Sequence, residues 1–152
     1  ISREVGIAPT SIKKNILLLE KKGFIEKRIE KRGKRKFPLF KAKREKLFQS
    51  YKKISNLQKI LESGIIPFLE KKSSPKCVVL FGSFVRGEDT EQSDIDLFME
   101  TKGKKPDLGP FEKKLGRKIE IHLKESFQLY PKELKNNIIN GIVLSGFLEG
   151  YA

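Results

Sequence analysis

The 152-residue chain has one cysteine, one histidine and no long hydrophobic run. Because Cys77 stands alone, an internal disulfide framework and a zinc site built from cysteines are both excluded. The apolar runs, such as residues 77–81, fall far short of the roughly 18 residues of a membrane span and suit a buried strand. With no recognisable signal peptide, a cytoplasmic location is the default expectation.

Positive charge is abundant and unevenly placed. Residues 1–72 contain 21 Lys and Arg against 7 Asp and Glu, whereas residues 73–152 contain 12 of each, so the whole net charge of +14 lies in the first half. This predicts a basic binding module joined to a neutral one, with nucleic acid as the natural polyanionic partner. The alternative is a solubilising, lysine-rich surface of the thermophilic kind, which 26 Lys and 15 Glu beside 4 Gln and 5 Asn also fit.

The first forty residues predict helices followed by a hairpin. The expected order is a short helix capped by Ser2, a break at Gly6 and a helix over residues 10–22. A first strand at residues 24–29, a basic turn at residues 31–36 and a second strand at residues 37–41 follow. Since the chain begins without methionine and inside the first predicted helix, we expect a further N-terminal element to be missing from it.

Residues 1–42, ISREVGIAPTSIKKNILLLEKKGFIEKRIEKRGKRKFPLFKA, resemble the winged helix-turn-helix family. The phrase LLLEKKGFIEKR is typical of its recognition helix running into the first wing strand. The resemblance implies that the helix over residues 10–22 enters a major groove of double-stranded DNA while the wing contacts phosphates. The implied DNA-binding residues are Thr10, Ser11, Lys13, Lys14 and Asn15 on the helix, and Arg28, Lys31, Arg32, Lys34, Arg35 and Lys36 on the wing. The alternative is a winged helix that binds protein.

Residues 43–63 predict a linker helix between two domains, assigned to residues 1–42 and 64–152. An apolar stripe recurs along this helix at spacings of three and four, at Leu47, Tyr51, Ile54, Leu57 and Leu61. Such a stripe is either part of a core or the seam of a homodimer, and paired DNA half-sites would favour the homodimer.

The stretch KCVVLFGSFVRGEDTEQSDIDLFME, residues 76–100, carries the predicted chemistry. A buried strand at residues 77–81 turns sharply at Gly82-Ser83, and a second strand is expected over residues 93–98. Alternate residues of a strand share a face, so Asp94 and Asp96 point together and repel each other. A divalent cation between them resolves this repulsion, and oxygen ligands suit Mg²⁺.

The combination of Phe81-Gly82-Ser83, ten further residues, and then Asp94-Ile95-Asp96 resembles the polymerase-beta-like nucleotidyltransferase superfamily, and its small prokaryotic branch of minimal nucleotidyltransferases in particular. The resemblance covers about residues 60–152. It implies a third carboxylate on a neighbouring strand, which RKIEIHL, residues 117–123, supplies as Glu120 where the family more often has Asp. His122 shares the face of Glu120, either as a solvated strand-end residue or as a substrate contact.

The two resemblances together imply an α+β protein of two domains, an N-terminal winged helix and a C-terminal mixed sheet with helices. The implied reaction is in-line nucleotidyl transfer from an NTP, ATP by family habit. Asp94, Asp96 and Glu120 would be catalytic and would hold two Mg²⁺ ions, with Mn²⁺ as an alternative. Nucleotide would be bound by Gly82, Ser83, Arg86 and Ser93.

No further domain is visible that would hold the base or the acceptor. By resemblance, a small helical HEPN-type partner in a toxin–antitoxin pair is plausible, with this chain as the antitoxin. Two alternatives stay open. In the first, the chain is a DNA-binding regulator whose second domain binds nucleotide or a partner without turnover. In the second, its winged helix binds RNA for an enzyme that acts on RNA ends.

Overall fold

The computed structural model describes residues 6–43 and 45–150 and divides into two compact units, Ile1–Phe48 and Gln49–Ala152. The predicted helix capped by Ser2 lies outside the described residues. Within the described ranges, every helix is too short or too polar to cross a membrane.

Among residues 6–43, the first unit contains one helix and one hairpin. Helix α1 covers Pro9–Lys21, and strands β1 (Ile25–Arg32) and β2 (Arg35–Ala42) pair in antiparallel register. Pro9 suits the first helical turn, where its missing N–H has no partner to lose. The strands extend further toward the tip than the sequence predicts, so most of the predicted basic turn at residues 31–36 is strand, and only two residues connect β1 to β2.

The second unit alternates helices and strands. In chain order its elements are α2 (Lys46–Ser63, which begins in the first unit), α3 (Ile65–Ser73), β3 (Cys77–Phe81), α4 (Gly82–Arg86), β4 (Ile95–Glu100), α5 (Gly109–Leu115), β5 (Ile119–Lys124), a 3₁₀ turn (Phe127–Leu129), α6 (Lys132–Ile139) and β6 (Ile142–Gly146).

The four strands of this unit form one mixed sheet in the order β5-β4-β3-β6. Strand β3 is antiparallel to both of its neighbours, whereas β4 and β5 are parallel. The unit is therefore of the predicted α+β type. One difference concerns β4, which begins at Ile95 and not at Ser93, so Asp94 precedes the strand.

Apolar residues cover both faces of the sheet, as the unbroken apolar sequence of β3 requires. Val78 and Leu80 of β3 pack with residues of α2, α3 and α4 on one face. The alternate residues of β3 pack against Phe98, Phe127 and Ile138 on the other face. Part of the segment assigned to a linker belongs to this core, since Asn56, Ile60 and Ser63 of α2 are buried.

Candidate active site

Strand register brings three potential ligands together on one face of the sheet. Asp96 of β4 lies beside Glu120 of the parallel strand β5, and Phe98 lies beside His122. Because alternate residues share a face, Asp96, Glu120 and His122 all point to the same side. One potential ligand atom from each lies within 4.8 Å of the others, and this is the metal-capable group of three found among residues 6–43 and 45–150.

The imidazole of His122 is held in place within this group. Its Nε2 lies 3.7 Å from Oε1 of Glu120. Its ring packs against the ring of Phe81, with the centroids 5.2 Å apart. The His122 side chain is 23% exposed and that of Glu120 is 58% exposed, so the group opens to solvent on the Glu120 side.

Gly82 makes room for the carboxylate of Asp96. Its φ of +78° lies in the left-handed region, and a Cβ there would meet Oδ2 of Asp96 at 2.1 Å. Sequence reasoning assigned this glycine to nucleotide binding, and the structure adds that the carboxylate of Asp96 lies against it. Any side chain at residue 82 would therefore displace the central carboxylate of the site.

The electrostatic setting of Asp96 disfavours its ionised form. Partial burial is the largest cause that raises the pKa of Asp96, and the carboxylates of Glu120 and Asp94 raise it further. His122 and Arg86 act in the opposite direction. A cation between Asp96 and Glu120 would offset both the cost of burying the Asp96 charge and the repulsion between the two carboxylates. The donor set of two carboxylates and an imidazole therefore fits a divalent cation.

The other predicted site residues surround this group in different roles. Asp94 is exposed and precedes β4, close enough for its charge to act on Asp96 but outside the group of three. Nε of Arg86 donates to Oε2 of Glu88 at 2.7 Å. Ser83 is half-buried in the first turn of α4, and Oγ of Ser93 accepts the Thr90 N–H at 2.9 Å.

A buried ionic cluster that the sequence reasoning missed supports the loop between these motifs. The side chain of Asp89 is fully buried, with Lys52 Nζ at 3.0 Å, Asn56 Nδ2 at 2.8 Å and an Arg117 nitrogen at 3.1 Å. The same guanidinium donates to the Ser93 carbonyl at 2.9 Å. The partners lie 28 to 37 positions from Asp89 in sequence, so no local pattern could have indicated the cluster.

The predicted DNA-binding residues all lie exposed in the first unit. On the hairpin, Arg28 forms an ion pair with Glu26 at 2.8 Å and Arg32 with Glu30 at 3.0 Å. The register at the tip places Lys31 opposite Lys36, and Arg32 opposite Arg35. Like charges directly opposite each other destabilise a hairpin, so the tip carries a concentration of positive charge that suits an anion.

Comparison with known proteins places a family model within the second unit. The model of the nucleotidyltransferase domain family matches residues 62–144, which include the group of Asp96, Glu120 and His122. A protein of Methanocaldococcus jannaschii named "putative protein adenylyltransferase" is 35% identical over 83 residues, an alignment that covers 49% of this chain and 82% of the relative. No solved structure matches the chain significantly.

Proposed function

Because the chain belongs to the nucleotidyltransferase domain family, we propose that it transfers AMP from ATP to a hydroxyl group of a protein acceptor. The family match and the relative make the chain a nucleotidyltransferase enzyme. ATP as donor and protein as acceptor rest on the relative's name. The observation that carries the chemistry is the group of Asp96, Glu120 and His122 beside the Gly82 turn.

The proposed reaction exchanges one phosphorus–oxygen bond for another. An acceptor hydroxyl oxygen attacks the α-phosphorus of ATP, the bond to the β-phosphate oxygen breaks, and pyrophosphate leaves. We assign Glu120, the most exposed of the three grouped side chains, to take the hydroxyl proton. A divalent cation, proposed as Mg²⁺ and held by Asp94, Asp96 and Glu120, supplies neutralisation of phosphate charge and a lower pKa for the acceptor hydroxyl.

The residues proposed to bind nucleotide act at two levels. Ser83 and the backbone N–H groups at the start of α4 would donate to phosphate oxygens. Arg86 is half exposed, so exchange of its Glu88 partner for a phosphate oxygen costs little. Gly82 and Ser93 would support nucleotide binding indirectly. Gly82 leaves space for the Asp96 carboxylate, and Ser93 stabilises the loop by its hydrogen bonds to Thr90.

The proposed reaction is tested with two labelled forms of ATP. The purified 152-residue chain is incubated with a cell extract and either [α-³²P]ATP or [γ-³²P]ATP, with added divalent cation. Nucleotidyl transfer labels a protein band from the α-labelled nucleotide alone, because the γ-phosphate departs in pyrophosphate. Mass spectrometry of the labelled band then identifies the modified hydroxyl.

Matched variants show whether the assigned carboxylates carry the transfer. Asp94→Asn and Asp96→Asn should each abolish labelling while the protein stays folded, whereas Asp107→Asn, an exposed carboxylate outside the group, should retain it. Near-normal labelling by Asp96→Asn would overturn the assignment. Absence of ATP binding at millimolar nucleotide by folded protein would overturn the proposed function itself.

We propose a second activity for the first unit, binding of double-stranded DNA by a winged helix-turn-helix over residues 1–42. The helix and hairpin have the order expected of that family, and the paired cations at the hairpin tip give the proposal its specific support. These cations repel one another in the free protein, and binding to phosphates would relieve that repulsion. Lys13 and Asn15 on exposed α1 are proposed to reach base edges.

Salt dependence tests the DNA proposal. Neutralising Lys34, Arg35 and Lys36 together should weaken binding to duplex DNA and lower the log–log salt slope by about 0.9 for each phosphate that the wing no longer neutralises. Neutralising the exposed cations Lys102, Lys104 and Lys105 of the second unit is the control of equal charge. An unchanged slope would favour a protein-binding winged helix, and tighter binding to tRNA than to DNA would favour the RNA alternative.

The remaining proposals concern partners. A DNA-binding regulator without turnover would bind its upstream region with ATP present yet transfer no label. A HEPN-type acceptor in a toxin–antitoxin pair would copurify and carry the AMP.

A homodimer through α2 would use Leu47, Ile54 and Leu61, which are 57%, 63% and 56% exposed. Ile54→Glu with Leu61→Glu should then halve the mass measured by light scattering.

A further inference from the structure

The chain has a single histidine, and its ring lies in the candidate active site. His122 is two residues beyond Glu120 on β5, so the strand presents both side chains to the same face as Asp96. The ring is braced by Phe81, and its Nε2 is directed to the Glu120 carboxylate at 3.7 Å. The imidazole thus offers a nitrogen to the space that the two carboxylates share.

The spacing of these atoms suits joint coordination. Ligand atoms around one octahedral ion lie about 3 to 4 Å apart when each metal–ligand distance is about 2.1 Å. The three potential ligand atoms lie within 4.8 Å of one another, and the His122–Glu120 pair is already at 3.7 Å. Small side-chain rotations therefore bring all three to a common ion without movement of the strands.

We propose that Nε2 of His122 is a metal ligand alongside Asp96 and Glu120, and that this nitrogen makes the site prefer Mn²⁺ and Zn²⁺ over Mg²⁺. Mg²⁺ takes oxygen ligands almost exclusively, whereas imidazole suits the first-row transition metals and Zn²⁺. The inference rests on the proposed function, because it refines which ion that site binds. It also gives His122 a role other than that of a solvated strand-end residue.

The single histidine makes the ligand directly observable. The 152-residue chain without a histidine tag is labelled with ring-¹⁵N-histidine, so that its spectrum contains the two ring nitrogens of His122 alone. Titration with diamagnetic Zn²⁺ at pH 8, where a free imidazole is neutral, should shift the Nε2 signal strongly and saturate at a stoichiometric ratio. Asp96→Asn should remove the saturable shift, because the ion then lacks its central carboxylate.

Affinity ratios give an independent readout of the same ligand. Calorimetry measures the Kd for Mn²⁺ and for Mg²⁺ in wild type, His122→Gln and the control Lys118→Gln, which alters an exposed neighbouring side chain. Even groups that only orient metal ligands change affinity by roughly 10- to 100-fold. His122→Gln should therefore weaken Mn²⁺ binding by at least about tenfold and Mg²⁺ binding much less, while Lys118→Gln leaves the ratio unchanged.

The outcomes separate this inference from the proposed function. If Zn²⁺ and Mn²⁺ bind without moving the Nε2 signal, and His122→Gln keeps the Mn²⁺-to-Mg²⁺ ratio, His122 is not a ligand even when AMP transfer is intact. If the nitrogen shift and the ratio change both appear but no nucleotide binds, the metal site stands and the proposed function fails. Equal loss of Mn²⁺ and Mg²⁺ affinity in His122→Gln would overturn the proposed selectivity.

Discussion

Replacement of Asp89 by alanine should strongly destabilise the second unit, because the Asp89 carboxylate anchors the loop between α4 and β4. The substitution removes the acceptor of three side chains at once, from Lys52, Asn56 and Arg117, at 2.8 to 3.1 Å. The Asp89 side chain is fully buried, whereas those of Lys52 and Arg117 are 27% and 18% exposed. Two cations and an amide would thus each lose one acceptor, although Lys52 keeps the Asp89 carbonyl, Asn56 the Phe84 carbonyl and Arg117 the Ser93 carbonyl.

The expected magnitude follows from this burial. Removing one partner of a buried ion pair costs about 3–5 kcal/mol. Lys52 and Arg117 keep partial access to water, and Arg117 retains its bond to the Ser93 carbonyl, so we expect about 2–4 kcal/mol for Asp89→Ala. That is a large part of the roughly 5–15 kcal/mol that keeps an ordinary domain folded.

Urea unfolding of the 152-residue chain, followed by circular dichroism, measures this loss. Hydrogen exchange with peptide resolution assigns it to residues 77–100, and the same residues should exchange faster in the variant. Glu91→Ala, an exposed carboxylate in the same loop, is the control and should stay within about 0.5 kcal/mol of wild type. A loss below about 1 kcal/mol for Asp89→Ala, with unchanged exchange, would refute the role given to the cluster.

Three further predictions concern the sheet and its site. Gly82→Ala should abolish the proposed AMP transfer and destabilise the fold by at least about 1–2 kcal/mol, because residue 82 has a left-handed backbone conformation and its new Cβ would collide with Asp96. Transfer at the wild-type rate by this variant would show that Asp96 does not need the space. Because folding raises the pKa of Asp96, ionisation of this residue opposes folding as the pH rises above its ordinary pKa of 3.8. In thermal melts without metal, Asp96→Asn should therefore match wild type at low pH and be more stable than wild type at pH 7. Lower stability of the variant at pH 7 would contradict this. Burial, together with the charge of Glu100, raises the pKa of Cys77 to about 11. Iodoacetamide at pH 8 should therefore alkylate Cys77 only after the protein unfolds, which a mass-spectrometric time course measures. Rapid alkylation of the native chain would show that β3 is accessible.

Local patterns were sufficient for the elements that carry the site. The continuous apolar run of β3 and the alternation of β5 depend on residues next to each other in sequence. Strand β3 has the predicted bounds, and β5 (Ile119–Lys124) begins two residues after the start of the predicted stretch at residues 117–123. The same alternation places Glu120 and His122 on one face. The helix and hairpin of the first unit were likewise predictable, because helical spacing and a glycine-centred turn are local signals.

Features that depend on distant residues could not be predicted in this way. The Asp89 cluster joins α2, the loop and the segment before β5. The reason for a glycine at residue 82 is the carboxylate of Asp96, fourteen positions later, which reaches it only because β3 and β4 pair. The start of β4 at Ile95 is set by pairing with β3 and β5, so Asp94 lies outside the strand although the alternating pattern continues through it.

Asp89 and Asp96 of this unit have opposite effects on stability. Asp89 is buried among cations and an amide, and this arrangement stabilises the loop. Asp96, seven residues later, lies beside two other carboxylates that disfavour its charge, so in the metal-free protein an asparagine there would be the more stable choice. An arrangement that holds acids together against their repulsion, on the rigid centre of a sheet, is unfavourable unless a cation binds between them. The Asp89 cluster stabilises the loop that leads directly into Asp94 and Asp96, and this stabilisation offsets part of the cost of holding the carboxylates together.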